Sequence, residues 1–258
     1  MKTSDSEMNY INAFNIKVHP ATLSEFVVII KQHLHQRKKL VQFGVNSATV
    51  NEACENDEFR RIINSADLLN IDGMSVVWAL RCLGHSVPER VATPDLADGV
   101  MRMAAEGKFS VFLFGATNEV ISLCVENLRK LYPSLMIAGW RNGYYQPQEE
   151  SSIVDQINSS GADILLIGIS SPKKELLYDK FRDKLGVFYV LGVGGYFDIL
   201  SGKTKRAPKC MQDIGLEWVF RLIQEPRRMW KRYLIGNNKF LWTLIREKTR
   251  SRKLAKAK

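Results

Sequence analysis

The sequence predicts an α/β protein: a parallel sheet with crossover helices in one domain, carrying a basic amphipathic helical extension at its C-terminal end. Three observations predict it. Short β-branched or apolar runs alternate with amphipathic stretches of helix length. Several of those runs end in turn signals, as at Gly44-Val45-Asn46, Asp72-Gly73, Gly115-Ala116-Thr117 and Gly192-Val193-Gly194-Gly195, and in an open parallel sheet such ends form the ligand crevice. Charge is the third: residues 203–258 hold 17 Lys+Arg against four acids, a net +13, while the whole chain is +10, so residues 1–202 sum to −3.

In chain order, the apolar runs predict strands over Phe14 to Val18, Leu40 to Val45, Leu68 to Ile71, Phe109 to Phe114, Leu135 to Gly139, Ile164 to Ile169 and Val187 to Val193. Between them, helical spacing predicts helices over Thr22 to Gln36, Ala48 to Asn64, Met74 to Leu83, Ala97 to Glu106, Glu119 to Tyr132, Glu149 to Ser160 and Lys173 to Lys184. No repeat or low-complexity linker interrupts this order, and composition breaks only near Ser201 to Pro208. The expected division is therefore a core over residues 1–202 and an appendage over residues 203–258.

With 258 residues and 45% hydrophobic content the chain can bury a full core. Its longest apolar runs fall far short of the ~20 residues that span a bilayer. The start, MKTSDSEMNY, has no apolar segment of the secretory kind, so a cytoplasmic protein is expected. Cys54, Cys82, Cys124 and Cys210 lie far apart, which predicts reduced, mostly buried thiols and no zinc site. The four histidines form no metal-spaced cluster, and His33 and His35 are expected at the surface.

Familiar nucleotide motifs start and fail. After Gly192-Val193-Gly194 the third glycine of a dinucleotide fingerprint would fall at Phe197, and Ser201-Gly202-Lys203-Thr204 lacks the earlier glycine of a P-loop. There is no D-x-D pair, H-E-x-x-H or G-x-S-x-G. Phosphate is expected to meet arginine, lysine or backbone amide, with no metal and no cofactor.

A longer series is specific in combination. Asn46, Asp72-Gly73, Pro88-Glu89-Arg90-Val91 with Asp95-Leu96, Gly139 to Gly143-Tyr144, and Gly168 with Ser171-Pro172-Lys173-Lys174-Glu175 come first. Gly192-Val193-Gly194, Phe197-Asp198, Gly202, Arg206-Ala207-Pro208, Gly215-Leu216-Glu217-Trp218, Arg221-Leu222, Glu225-Pro226-Arg227-Arg228 and Lys231-Arg232-Tyr233 complete it. From about Phe14 to Tyr233 this order resembles the WecG/TagA/CpsF glycosyltransferases of bacteria (glycosyltransferase family 26). The resemblance implies a Rossmann-like single domain that moves a sugar from a nucleotide-diphosphate donor, expected to be a UDP-sugar, to a polyprenyl-diphosphate-linked saccharide. It further implies inversion without a metal at the inner membrane face, and an appendage that helps close the site and binds membrane.

The resemblance makes Asp72 the catalytic base. Independently, Asp72 sits at the end of a predicted strand facing the crevice, where a carboxylate can reach an acceptor hydroxyl; capping of the helix from Met74 is the competing role. Asp198 is weighed equally as a ligand for ribose or sugar hydroxyls and as a turn or cap. Glu175, one turn into its helix, would orient a sugar or, with Lys173 and the helix amides, hold phosphate, or else complement the helix dipole. Arg90 and Asp95 are expected either to form an ion pair fixing the loop over the pocket, the favoured reading, or to touch the donor themselves. Asn46, Gly73, Gly115, Gly168, Pro172, Gly192, Gly194 and Arg206 complete the expected substrate-binding set. Arg221, Arg228 and Arg232 are assigned to diphosphate, Lys239 to Lys258 to anionic lipid, and Trp218, Phe220, Trp230, Tyr233, Phe240 and Trp242 to an apolar face.

The chain departs from the family pattern in three places. Gly44 stands where the family often has threonine, so that hydroxyl is absent or shifts to Ser47 or Thr49. Thr93-Pro94 replaces a glycine-containing pair in R-V-x-G-x-D-L. Lys174 replaces a glutamine, and the added charge suggests an acidic sugar donor. Two other classes compete: a non-catalytic membrane or nucleic-acid binding protein acting through its tail, and an oxidoreductase, already weakened by Phe197. Nucleic acid is disfavoured because the positive charge is confined to a Trp-rich segment without a recognition motif.

Overall fold

A six-stranded, wholly parallel sheet organises the computed structural model, which describes residues 8–256. Residues 1–7, which hold most of the MKTSDSEMNY start, and residues 257–258, which include the last of the expected lipid-binding lysines, lie outside the described residues.

The chain opens with a hairpin, β1 (Ile11–Ala13) and β2 (Ile16–Val18), turned by Phe14 and Asn15, both left-handed at φ 56° and 57°. The expected strand over Phe14 to Val18 is thus half a turn. A bridge between His19 and Asn70 ties the hairpin to the sheet edge. Next comes α1 (Leu23–His35), where Thr22 and Glu25 form a capping box of the kind that stabilises a helix start by about 1 kcal/mol. After β3 (Leu40–Val45), the single helix expected over Ala48 to Asn64 is two, α2 (Ser47–Glu55) and α3 (Asp57–Asn64). Asn56 breaks it, leaving helical geometry to accept the Phe59 amide as the α3 cap.

β4 (Leu68–Ile71) leads into α4 (Met74–Cys82), and α5 (Thr93–Gly107) starts before the predicted Ala97 because Pro94 fits a first turn. Then follow β5 (Ser110–Gly115), α6 (Asn118–Leu131), β6 (Met136–Arg141), α7 (Glu150–Ser159), β7 (Ile164–Gly168), α8 (Lys173–Phe181) and β8 (Tyr189–Gly192). A short α9 (Tyr196–Leu200) ends the core. The extension runs through α10 (Lys209–Asp213), α11 (Glu217–Gln224), α12 (Pro226–Trp230), a π-helical turn and α13 (Gly236–Lys256).

The strand order β4-β3-β8-β7-β5-β6 places the last two strands in the middle of the sheet. Both faces are covered, so central strands read as unbroken apolar runs. Leu165 and Ile167 point into the cluster made with α2, α3, α4, α7 and α8; Ile164 and Leu166 point into the one made with α1, α5, α6 and α9. A buried polar chain crosses the sheet: Tyr189 donates to Gln42, Gln42 to Asn70, and Asn70 to the Val91 carbonyl, so no member is left unpaired by this burial.

The cysteine expectation is corrected. Only Cys124 is buried; Cys54, Cys82 and Cys210 are exposed. Burial pushes the Cys124 thiol up to about 12, so it is inert.

Candidate active site

All six strands of the sheet deliver their C-terminal ends to one cavity of about 1320 Å³. Asn46 follows β3, Asp72 follows β4, Ala116 follows β5, Gly143 to Gln146 follow β6, Ile169 to Lys174 follow β7, and Val193 to Asp198 follow β8. This is the crevice an open parallel sheet forms where strand order reverses. Its opposite wall comes from the extension, through Glu217, Trp218, Arg221, Arg228, Arg232 and residues of α13.

Asp72 is held as a reactive carboxylate would need to be. One oxygen accepts from the Thr93 amide at 2.7 Å and the other from the Asn46 side-chain amide at 3.3 Å, while its own amide bonds to Val45. Capping is not its role: Gly73 is the α4 cap residue, with no side-chain cap bond. Asn46 spends its oxygen on the α2 amides of Ala48 and Thr49, which aims its NH2 group at Asp72.

The backbone of Asp72 is anchored as well. Arg90 donates from Nε to the Asp72 carbonyl at 2.7 Å, and its other end pairs with Glu217 of the extension at 2.5 Å. Both side chains of that pair are 15% exposed, so breaking it would strand a largely buried charge. The expected Arg90–Asp95 pair is therefore corrected. Asp95 is gripped by both terminal nitrogens of Arg206, whose Nε lies 3.8 Å from the other Glu217 oxygen. Burial works against the Asp95 charge, yet Arg206 outweighs it and holds the carboxyl below its usual value.

The other sequence-predicted residues divide cleanly. Asn46, Asp72, Gly73, Arg90, Gly168, Pro172, Lys173, Gly192, Gly194, Asp198, Arg221, Arg228 and Arg232 line the cavity. Asp95, Gly115, Glu175 and Arg206 do not. Glu175 is 2% exposed and is held by Lys174 and the Ser171 hydroxyl, so its carboxylate faces the interior instead of a sugar. That pair also neutralises Lys174, which reaches the wall without a free charge; the argument for an acidic donor loses its footing. Gly168 leaves room for Phe197, whose ring a Cβ there would strike, so the residue that spoils the dinucleotide fingerprint is a packing element.

Among the cavity arginines, charge pairing separates two kinds. Arg228 is paired with Asp198 at 3.3 Å and Glu225 at 3.2 Å, and Asp198 also meets Lys203 at 3.6 Å. Arg221 and Arg232 have no carboxylate partner among the described residues, which leaves their guanidiniums to an anion in the cavity. Pro226 does more than kink the chain: it starts a new helix, yet Arg221 and Arg228 still share the cavity. No group of three His, Cys, Asp or Glu side chains able to hold a metal occurs among the described residues.

Sequence reasoning missed Thr93, Glu217 and Trp78 as cavity residues. Thr93 and Glu217 left signals, one as a departure from the family pattern and the other within Gly215-Leu216-Glu217-Trp218, but Trp78 left none. Side-chain bulk missing at Gly44 reappears at Thr93, and a Cβ on Gly44 would overlap the Thr93 hydroxyl. The appendage aromatics also part company: Phe240 is buried against Phe14, Trp218 stacks obliquely on Tyr233 at the cavity, and Trp230 and Trp242 are exposed.

A Rossmann-like sheet with a held carboxylate at one strand end, sharing one cavity with unpaired guanidiniums, has the form of a group-transfer site. The model of the Glycosyl transferase WecG/TagA/CpsF family matches residues 11–254. A relative from Bacillus spizizenii, the N-acetylglucosaminyldiphosphoundecaprenol N-acetyl-beta-D-mannosaminyltransferase, is 32% identical over 202 residues, 78% of this chain and 77% of the relative. The chain belongs to the WecG/TagA/CpsF family of glycosyltransferases.

Proposed function

We propose that the protein transfers a sugar from a UDP-sugar to a polyprenyl-diphosphate-linked saccharide at the inner face of the bacterial membrane, in surface polysaccharide assembly. The observation that carries this reading is the Asp72 carboxylate, held at the end of β4 across one cavity from Arg221 and Arg232. The name of the Bacillus relative supports a diphospholipid-linked acceptor of the same class.

In this reading Asp72 takes the proton of the acceptor hydroxyl as its oxygen attacks the anomeric carbon from the face opposite the nucleotide. The anomeric bond to the diphosphate breaks, the UDP leaves with the bonding electrons, and configuration inverts. Charge gathering on the departing diphosphate meets Arg221, Arg232 and Lys173 at the α8 N-terminus. Those cations take the part a divalent metal plays elsewhere, and no cofactor enters.

Membrane contact belongs to the same proposal, as does the division at Gly202. No described helix is long and apolar enough to cross a bilayer. The extension instead exposes Ile223, Trp230, Leu234, Ile235, Trp242 and Ile245 among Lys231, Lys239, Arg246 and Arg250. Apolar side chains interleaved with basic ones suit an anionic interface, where each cation contributes about 1 kcal/mol.

The test is turnover of a UDP-sugar panel by the full chain with a short-chain prenyl-diphosphate-sugar acceptor, in EDTA. Transfer should persist in EDTA and fall on the order of 10²–10³-fold in Arg221→Ala. Transfer abolished by EDTA and restored by magnesium would overturn metal independence. Vesicle binding with no turnover on any donor would favour the non-catalytic binding protein.

A further inference from the structure

The cavity, at about 1320 Å³, is larger than the ~300–1,000 Å³ typical of small-molecule sites, and part of its lining is apolar. Met74, Trp78 and Cys82 recur every four residues on α4, so they form a single stripe that begins two residues after Asp72 and runs about 12 Å. Across from it, Leu241 and Leu244 of α13 line the same cavity, three residues apart on one helix face. The two helices meet at the far end, where the Lys248 ammonium lies 3.2 Å from the Cys82 sulfur. The result is a two-walled apolar groove whose near end is the catalytic carboxylate.

Met74 and Leu244 also pack against the core, but Trp78 and Leu241 are not turned inward for packing. Trp78 is 51% and Leu241 54% exposed although both line the cavity. The indole also packs against Gly215, where a Cβ would come within 2.7 Å of the ring, so the extension holds Trp78 in this position. A ligand matching the groove is an amphiphile: an anionic head beside the cavity's cations next to the donor diphosphate, and an apolar chain leaving past Trp78 and Leu241.

We propose that the groove between α4 and α13 binds the first isoprene units of the acceptor lipid and leads them from the site toward the membrane. This rests on the lipid-linked acceptor named above. Charge complementarity decides the occupant, because a free nucleotide offers no apolar chain to the groove and a neutral lipid nothing to the arginines.

The experiment compares two acceptors with the same diphosphate-linked sugar, one bearing a single short branched alkyl group and one a long prenyl chain in detergent. Trp78→Ala and Leu244→Ser in the full chain should raise KM for the long-chain acceptor at least tenfold. They should leave KM for the short acceptor and for the donor within twofold. Equal effects on both acceptors, or none, would overturn the groove. Because a variant could misfold, wild-type protein is also cross-linked with a prenyl diphosphate carrying a benzophenone near its head. Labelled peptides from 74–82 and 237–250 support the inference, and labelling elsewhere refutes it. Absent turnover on every lipid-linked acceptor would sink the proposed transfer, while the cross-link still decides the groove separately.

Discussion

The core and the extension solve different physical problems with the same chain. Residues 8–202 bury both faces of a sheet, and their central polar groups, such as Gln42 and Asn70, are fully buried and paired. Beyond Gly202, the buried apolar side chains among the described residues are Ala207, Met229 and Phe240, while Ile214, Ile223, Trp230, Leu234, Ile235 and Trp242 stand exposed. The extension is fastened to the core along its length, by Phe240 on Phe14, Asn51 on the Gly236 carbonyl, Lys239 on Glu55 and Arg228 on Asp198, and also by Arg206 on Asp95 and Glu217 on Arg90. The last two contacts fall on the loops around Asp72. A segment fastened in part beside Asp72 can be read out there.

The contrast predicts that the reaction depends first on the core carboxylate. Asp72→Asn keeps the shape of the side chain and an acceptor for the Thr93 amide but removes the base. Turnover should drop on the order of 10²–10⁴-fold with the thermal midpoint unchanged. Retention of most turnover would move the chemistry to another group.

Acid should act on the core edge through His19. His19 is buried and accepts the Leu69 amide at Nδ1, and burial pushes its pKa from 6.5 down to about 4. The unfolded chain therefore takes up a proton between pH 6.5 and 4 that the fold refuses. That part of the stability is complete above pH 6.5, lost as pH falls through the window, and amounts to about 3 kcal/mol. Urea unfolding of His19→Asn, which keeps an acceptor for Leu69, should show a correspondingly flatter fall from pH 7 to 4. An unchanged slope would assign the acid sensitivity elsewhere.

What could be read from sequence, and what could not, follows the same division. Strands such as Leu40–Val45 and Leu68–Ile71 are legible because burial on both faces demands continuous apolar runs. The β1–β2 turn is not, because Phe14 and Asn15 adopt left-handed angles without a glycine to announce them. Asp72 stood out as a strand-end carboxylate, but its supports did not: Arg90 finds Glu217 at a separation of 127 residues, and Arg206 finds Asp95 at 111. Pairing of that range is written in tertiary geometry, so the nearer Arg90–Asp95 pair was the natural wrong expectation.

Gly44 and Thr93 offer a smaller test inside the core. Since a Cβ at 44 would overlap the Thr93 hydroxyl, Gly44→Thr should cost about 1–3 kcal/mol as overpacking. Thr93→Gly in the same chain vacates that space and should recover most of the loss, while Thr93→Gly alone leaves a cavity. Chemical denaturation of the two single variants and the double measures the coupling. Simple additivity would mean that the residues do not share one space.

The least severe expected effect is the one that joins the two regions. Glu217 opens α11 and places one oxygen on Arg90 and the other near Arg206, so a single extension carboxylate faces two core-side guanidiniums. Arg90 in turn holds the Asp72 carbonyl. Glu217→Gln retains size and some hydrogen bonding but removes the charge that orients Arg90. If Glu217 positions the catalytic loop, kcat should fall about tenfold, the equivalent of about 1.4 kcal/mol, at saturating donor and acceptor. Arg90→Gln should lower it further than that, and the double variant should add little, because both changes break one chain of contacts. If Glu217 only fastens the extension, the losses appear in KM and vesicle binding while kcat holds, and the two substitutions add. The split between kcat and KM therefore decides whether docking of the extension is sensed by Asp72 or merely brings Arg221 and Arg232 to the cavity.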